Sequence, residues 1–255
     1  MRGLAGKRVL ISGGSRGIGF ATARRFLDEG CSVFITGIDA DEVESTIATL
    51  GPLGTVSGTH CDVSSETSID EAIQTATDFL GGIDVLANNA GIAWREPFLE
   101  VTVAHWDRII AVNLRGMFLV GQAVARHLVA EGRRGSIVNM ASTNALGGEA
   151  HFSHYNASKG AVLQLTRTMA VELGVHGIRV NALCPGYIET PLNRDIAART
   201  GDESFAETYA RDNIPLGRVG NEDEIAAAYA FLASDDASFV HGAALVVDGG
   251  QTAIM

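Results

Sequence analysis

Short apolar runs and longer amphipathic stretches alternate along this chain from one end to the other. The runs 7–12 (KRVLIS), 32–36 (SVFIT), 54–61 (GTVSGTHC), 83–88 (IDVLAN), 135–141 (GSIVNMA), 178–184 (IRVNALC) and 243–248 (AALVVD) are rich in β-branched residues and poor in charge. Such runs suit strands buried on both faces. Between them, apolar positions recur at helical spacing over about 17–29, 40–49, 66–80, 103–131, 154–174 and 222–233. Glycines close several of these stretches, Gly30 after the first and Gly81 with Gly82 after the third, as helix C-termini require. The alternation predicts an α/β fold, a doubly wound sheet of seven parallel strands with helices on both faces. One stretch breaks the pattern: 185–220 is irregular and carries three of the chain's five prolines. A segment that long inside a compact domain is expected to serve function, and 186–220 reads as a substrate-binding lid with some helical content. No repeat and no low-complexity linker divides the sequence, so a single domain spanning 1–255 is expected.

Composition narrows the partners. With 46% hydrophobic residues in 255, the chain can bury one substantial core. Its formal charge of −11 and pI near 5.0, with lysines and arginines scattered, leave no broad basic surface, so nucleic acid is not an expected partner. No uninterrupted run of about 18 apolar residues marks a membrane span, and the N-terminal run ends in glycines without a cleavage site. Cys31, Cys61 and Cys184 lie in or beside apolar runs and form no C-x-x-C pair, which suits buried thiols in a reducing compartment and makes the cytoplasm the expected location. The seven histidines lack zinc-site spacing, so no metal is expected.

Three local features carry chemistry. Gly13, Gly14, Gly17 and Gly19 lie between the first strand and the first helix, where glycines permit a tight turn and close approach of backbone N–H groups to a pyrophosphate. Their spacing, G-x-x-x-G-x-G, is not the commoner G-x-G-x-x-G, and on spacing alone an ordinary strand-to-helix turn stays open. Tyr155 and Lys159 share a helix face, a pattern that a solvated surface also produces. Ser142 ends the fifth run, at the sheet edge where open α/β folds place ligands. A tyrosine needs a neighbouring cation to serve as a base near neutral pH, and Lys159 supplies one at the right spacing.

These segments, read together with others, resemble the compact type of the short-chain dehydrogenase/reductase family over essentially the whole chain. The family's T-G-x-x-x-G-x-G stands here as SGGSRGIG with Ser12 in place of Thr, and its N-N-A-G is NNAG at 88–91. Its helix asparagine falls on Asn113, its serine on Ser142, its Y-x-x-x-K on Tyr155 and Lys159, and its P-G on Pro185 and Gly186, followed by Thr190. The resemblance implies a Rossmann-like fold and hydride transfer between NAD(P) and a secondary alcohol or ketone. It implies Tyr155 as general acid/base, Ser142 as orienter of the substrate oxygen, Lys159 as the cation that lowers the Tyr155 pKa and binds ribose hydroxyls, and Asn113 as holder of a proton-relaying water. For the cofactor it implies Gly13, Ser15, Arg16, Gly17, Ile18 and Gly19 in the cradle, and Asp39 and Asp62 with Val63 around the adenosine. Asn89, Ala90 and Gly91 would line the middle, and Pro185, Gly186, Ile188 and Thr190 the nicotinamide side. On local sequence Asp62 is equally an ordinary turn aspartate. A homotetramer is implied too, with helices 103–131 and 154–174 at one interface and the C-terminal strand and tail at another.

Cofactor and substrate choice rest on neighbouring residues. Gly37 stands where NAD-type members carry Asp, and Ile38 where many NADP-type members carry Arg. Arg16 is available to a 2′-phosphate, but Asp39, Asp41 and Glu42 make the surroundings acidic, which favours NAD over NADP. The loop TNALGGEAHFSH adds Asn144, Glu149, His151 and His154 near the reacting carbon. With Ser142, Tyr155 and Tyr187 they suit a polar substrate such as a sugar, polyol or hydroxy acid, although both histidines read equally as loop surface. Ile188, Leu192 and Phe205 of the lid would suit a hydrophobic ketone or acyl thioester instead. The alternatives are therefore an NADPH-dependent 3-oxoacyl thioester reductase and a non-catalytic dinucleotide sensor, the latter opposed by an intact Ser142, Tyr155 and Lys159.

Overall fold

Alternation within the strands decides which residues face which layer. The computed structural model describes residues 1–199 and 204–254. Its strands are β1 (Arg8–Ser12), β2 (Ser32–Gly37), β3 (Val56–His60), β4 (Val85–Asn88), β5 (Gly135–Met140), β6 (Ile178–Pro185) and β7 (Ala244–Val247). They form one sheet in the order β3-β2-β1-β4-β5-β6-β7, and every pairing is parallel. Val9, Ile11, Val33, Ile35 and Val85 enter one core, whereas Leu10, Phe34 and Leu86 enter the other, as a period of two requires.

Helices α1 (Gly17–Asp28), α2 (Ala40–Leu50) and α9 (Glu222–Ala233) cover the first core through Phe26, Leu27, Val43, Ile225 and Tyr229. Helices α3 (Glu66–Leu80), α5 (Met117–Ala130) and α6 (Ser153–Leu173) close the second through Ile69, Ala76, Val124, Leu128 and Ala170. Strand order reverses between β1 and β4, and the crevice at that switch point lies beyond the carboxyl ends of the strands, where ligands bind in such sheets.

Two predicted segments carry detail beyond the expectation. The expected helix 103–131 is α4 (Val103–Ile110), a π-helical turn (Ala111–Gly116) and α5. The wider turn centres on Asn113, whose side chain is turned away to bond the backbone of Ile92, and on Gly116, where a Cβ would lie 2.6 Å from Val63 O. The path Val103–Ala130 is long and apolar enough by composition to cross a bilayer; here Val112, Met117, Val120, Val124 and Leu128 are buried in the core. The irregular 186–220 segment contains α7 (Pro191–Ala198) and α8 (Phe205–Asn213), with 200–203 outside the described residues. Thr190 caps α7 by accepting from Asn193 N at 3.1 Å, with Pro191 at the first helical position, where its missing N–H costs nothing.

Candidate active site

The glycine turn is held from the neighbouring strand. Ser12 Oγ accepts from Asn89 N and Ala90 N at 3.0 and 3.2 Å and donates to Asn88 Oδ1 at 3.2 Å, so the serine in place of threonine keeps a tying hydroxyl. Asn89 Nδ2 donates to Gly13 O at 2.9 Å. Gly13 and Gly17 stand at φ +64° and +59°, a region that favours glycine. A Cβ on Gly19 would collide with Gly13 O, so close packing of α1 on the turn requires glycine there. The N-cap of α1, Arg16, makes no side-chain capping bond, which leaves the first-turn N–H groups facing the cleft for an anion. These features fit the pyrophosphate of a dinucleotide, with Ser15, Arg16, Gly17 and Ile18 lining the cleft beside Gly13 and Gly19 packed beneath.

At the end of the cleft next to β2, the carboxylate on the wall is Glu42 and not Asp39. Asp39 is not on the cleft wall; its Oδ1 accepts from Asp41 N and Glu42 N at 3.0 Å each and caps α2. Glu42, one turn into that helix, lines the cleft, accepts from Ser15 Oγ at 3.2 Å and lies 3.8 Å from Arg16. Gly37 admits this arrangement, since a Cβ there would come within 2.9 Å of Ser15 Oγ and 2.8 Å of Val43. Asp62 and Val63 line the same end, with Asp62 Oδ1 accepting from Ser64 Oγ at 2.6 Å.

The catalytic candidates meet at the carboxyl edge of β5. Lys159 is 2% exposed; its Nζ donates to Met140 O at 2.7 Å and lies 5.6 Å from the centre of the Tyr155 ring. Burial pushes the Tyr155 phenol up to about 12, with the neighbouring Ser142 hydroxyl pulling it the other way. Burial also drives the Lys159 ammonium down to about 8. The cleft therefore holds a protonated phenol over a weakly held proton. Asn113 is fully buried behind this pair, bonded in both directions to Ile92 (2.8 Å each) and to Ser158 Oγ at 3.3 Å. Its amide thus fixes the loop after β4, where Asn89, Ala90 and Gly91 line the cleft. Across from them lie Pro185, Gly186, Ile188 and Thr190.

The far end, about 320 Å³ in all with the cofactor arm, is polar on one side and aromatic on the other. Ser142 Oγ donates to Asn144 Oδ1 at 3.2 Å, and Asn144 Nδ2 donates to Glu149 Oε2 at 2.9 Å and Asn156 Oδ1 at 2.8 Å. Opposite stand Tyr187, Phe205 and Tyr209, with the two tyrosine ring centres 5.0 Å apart. Gln251 Nε2 donates to the Tyr209 hydroxyl at 2.8 Å. The two loop histidines are elsewhere. His151 is exposed at φ +69°, which turns its side chain out of the cleft. His154 is fully buried away from the cleft lining, packed on Trp94, with Nε2 3.7 Å from Glu96. Glu42, Tyr209 and Gln251 escaped the sequence reading. Each lies on an element whose approach to the cleft depends on tertiary packing, and only the acidic cluster around Glu42 left a trace.

A family model described as enoyl-(acyl carrier protein) reductase matches residues 13–252. Meso-2,3-butanediol dehydrogenase of Serratia marcescens is 38% identical over 247 residues, covering 97% of this chain and 95% of that protein. The 5-keto-D-gluconate 5-reductase of Escherichia coli is 40% identical over 249 residues, covering 97% and 96%. The crystal structure of levodione reductase superposes with a TM-score of 0.94 at 37% identity over 98% of this chain and 99% of that one. The chain belongs to the short-chain dehydrogenase/reductase family. It is an oxidoreductase of CH–OH groups served by a nicotinamide cofactor.

Proposed function

We propose that this protein interconverts a secondary alcohol and its ketone on a small, hydroxylated substrate, using NAD in preference to NADP. The observation that carries the reading is the convergence of Ser142, Tyr155 and Lys159 at one end of a cleft whose other end is a phosphate cradle. A bound nicotinamide supplies the hydride acceptor or donor, and in its oxidised form a positive ring. The remaining work falls to the chain. Ser142 and the Tyr155 hydroxyl hold the substrate oxygen, and Tyr155 exchanges the proton with it. With its phenol held protonated, Tyr155 is ready to donate in ketone reduction; in oxidation, the Lys159 ammonium favours the phenolate that takes the proton.

The NAD preference is supported by Glu42, a carboxylate on the cleft wall that engages both Ser15 and Arg16 and would repel an added phosphate there. A polar substrate is supported by the Ser142–Asn144–Glu149 chain of hydrogen bonds and by relatives named for a butanediol and a ketogluconate. A homotetramer is supported by large apolar side chains left exposed on α5 and α6, among them Phe118 and Val171, since such surfaces mark association.

The test is turnover of secondary alcohols followed by reduced-nicotinamide absorbance, with Tyr155→Phe alongside. The variant is expected to lose at least about a thousandfold in kcat while binding cofactor as before. Near-normal turnover by Tyr155→Phe would refute the assignment.

A further inference from the structure

We infer that the substrate end of the cleft selects uncharged polyhydroxylated alcohols and ketones against hydroxy acids, and that the Glu149 carboxylate is the selecting group. This rests on the dehydrogenase reading above and narrows it.

Glu149 enters from the loop between β5 and α6 and lines the cleft. Its Oε2 is fixed by Asn144 Nδ2 at 2.9 Å, and Asn144 is in turn bonded to the Ser142 hydroxyl, so the carboxylate stands two side chains from the group that holds the reacting oxygen. Its Oε1 takes no hydrogen bond among the described residues. Burial raises the phenol pKa of Tyr155, Tyr187 and Tyr209, and the Glu149 charge adds to that rise in each; burial also raises the Glu149 carboxyl itself, against the Asn144 hydrogen bond. Three hydroxyls and one free carboxylate oxygen therefore face a common space.

Cations are placed elsewhere. Of the basic side chains among the described lining residues, Arg16 and Arg108 belong to the adenosine end beside Glu42 and Ser64, and Lys159 lies beneath Tyr155 with Nζ committed to Met140 O. Arg95 touches Glu149 only through its field, from an exposed position outside the lining. A substrate carboxylate would meet a like charge with no lining guanidinium to pair it, which disfavours binding. A hydroxyl meets partners instead. Because Tyr209 accepts from Gln251 Nε2, its own proton remains to donate, and Glu149 Oε1 can accept.

The experiment uses size-matched pairs that differ in charge: glucitol with gluconate, and butane-2,3-diol with 3-hydroxybutanoate. For wild type, kcat/KM is expected to favour the neutral member of each pair by about tenfold or more, as a like charge within a partly buried site would impose. Glu149→Gln keeps an acceptor for Asn144 and should bring the ratio near unity by raising the value for the acid. A second readout needs no turnover: titration of cofactor-loaded Tyr155→Phe protein, with and without Glu149→Gln, should show the same preference and its loss. Equal handling of acids by wild type, or a ratio untouched by Glu149→Gln in both readouts, overturns the inference. If wild type oxidises none of the four yet the titrations show the charge preference, the selection stands and the proposal of a small hydroxylated substrate for turnover falls.

Discussion

Lys159→Met tests whether a buried cation sets the base. The ammonium lies 5.6 Å from the centre of the Tyr155 ring. At an effective dielectric constant of about 20, a unit charge at that distance favours the phenolate by about 3 kcal/mol, or roughly two pK units. Removing it should therefore raise the phenol pKa by about that much and slow alcohol oxidation near pH 7 by about a hundredfold. The advantage of wild type is itself limited by pH. Burial holds Lys159 at about 8, so its charge is present below pH 8 and lost as pH rises through that value. The gap between wild type and variant should be widest near pH 7 and narrow above pH 8. Stability runs the other way. Since the folded-state pKa is below the unfolded one, the buried ammonium costs stability at pH 7, and that cost is relieved as pH rises from about 8 toward 10.5. The variant escapes this cost but leaves Met140 O without its donor, worth about 1–3 kcal/mol, so it should remain folded. The assay is log kcat/KM for oxidation from pH 6 to 10 at saturating cofactor, with a denaturation curve at pH 7. A uniform fall at every pH, with no change in the shape of the profile, would refute the electrostatic argument and leave only a positioning role.

Glu42→Gln should raise the NADP-to-NAD ratio of kcat/KM by about tenfold, because it removes a carboxylate 3.8 Å from Arg16 and frees that guanidinium for a phosphate; an unchanged ratio would mean that Glu42 does not read the ribose. The native protein should react negligibly with a thiol reagent at pH 8 and titrate three thiols once unfolded. Cys31, Cys61 and Cys184 are all buried, and burial pushes the Cys31 thiol up to about 12 and Cys184 to about 11, which withholds the reactive thiolate. A fast-reacting thiol in the folded protein would contradict this.

The periodicity that predicted the sheet worked because β1, β2, β4, β5 and β6 are each buried on both faces, so apolar residues fill them almost without interruption. It does not reveal where a long-range contact widens a helix. Asn113 bonds Ile92, 21 positions away, and nothing in IIAVNLRGMF announces that the chain will widen into a π turn to reach it. Asp39 lies off the cleft wall for a local reason that its own neighbours disclose. An aspartate two and three residues ahead of Asp41 and Glu42 at a strand exit fits an N-cap, and its Oδ1 accepts from both backbone N–H groups. Glu42 lines the cleft beside Ser15, and Gly37 leaves room for that contact, a relation between two elements rather than two sequence neighbours. The same holds for Tyr155 and Lys159. Their four-residue spacing puts them on one face of α6, but spacing says nothing about what that face meets. Met140 O, at the edge of β5, draws the ammonium into the core, and with it the half-buried tyrosine lines the cleft instead of standing in open solvent.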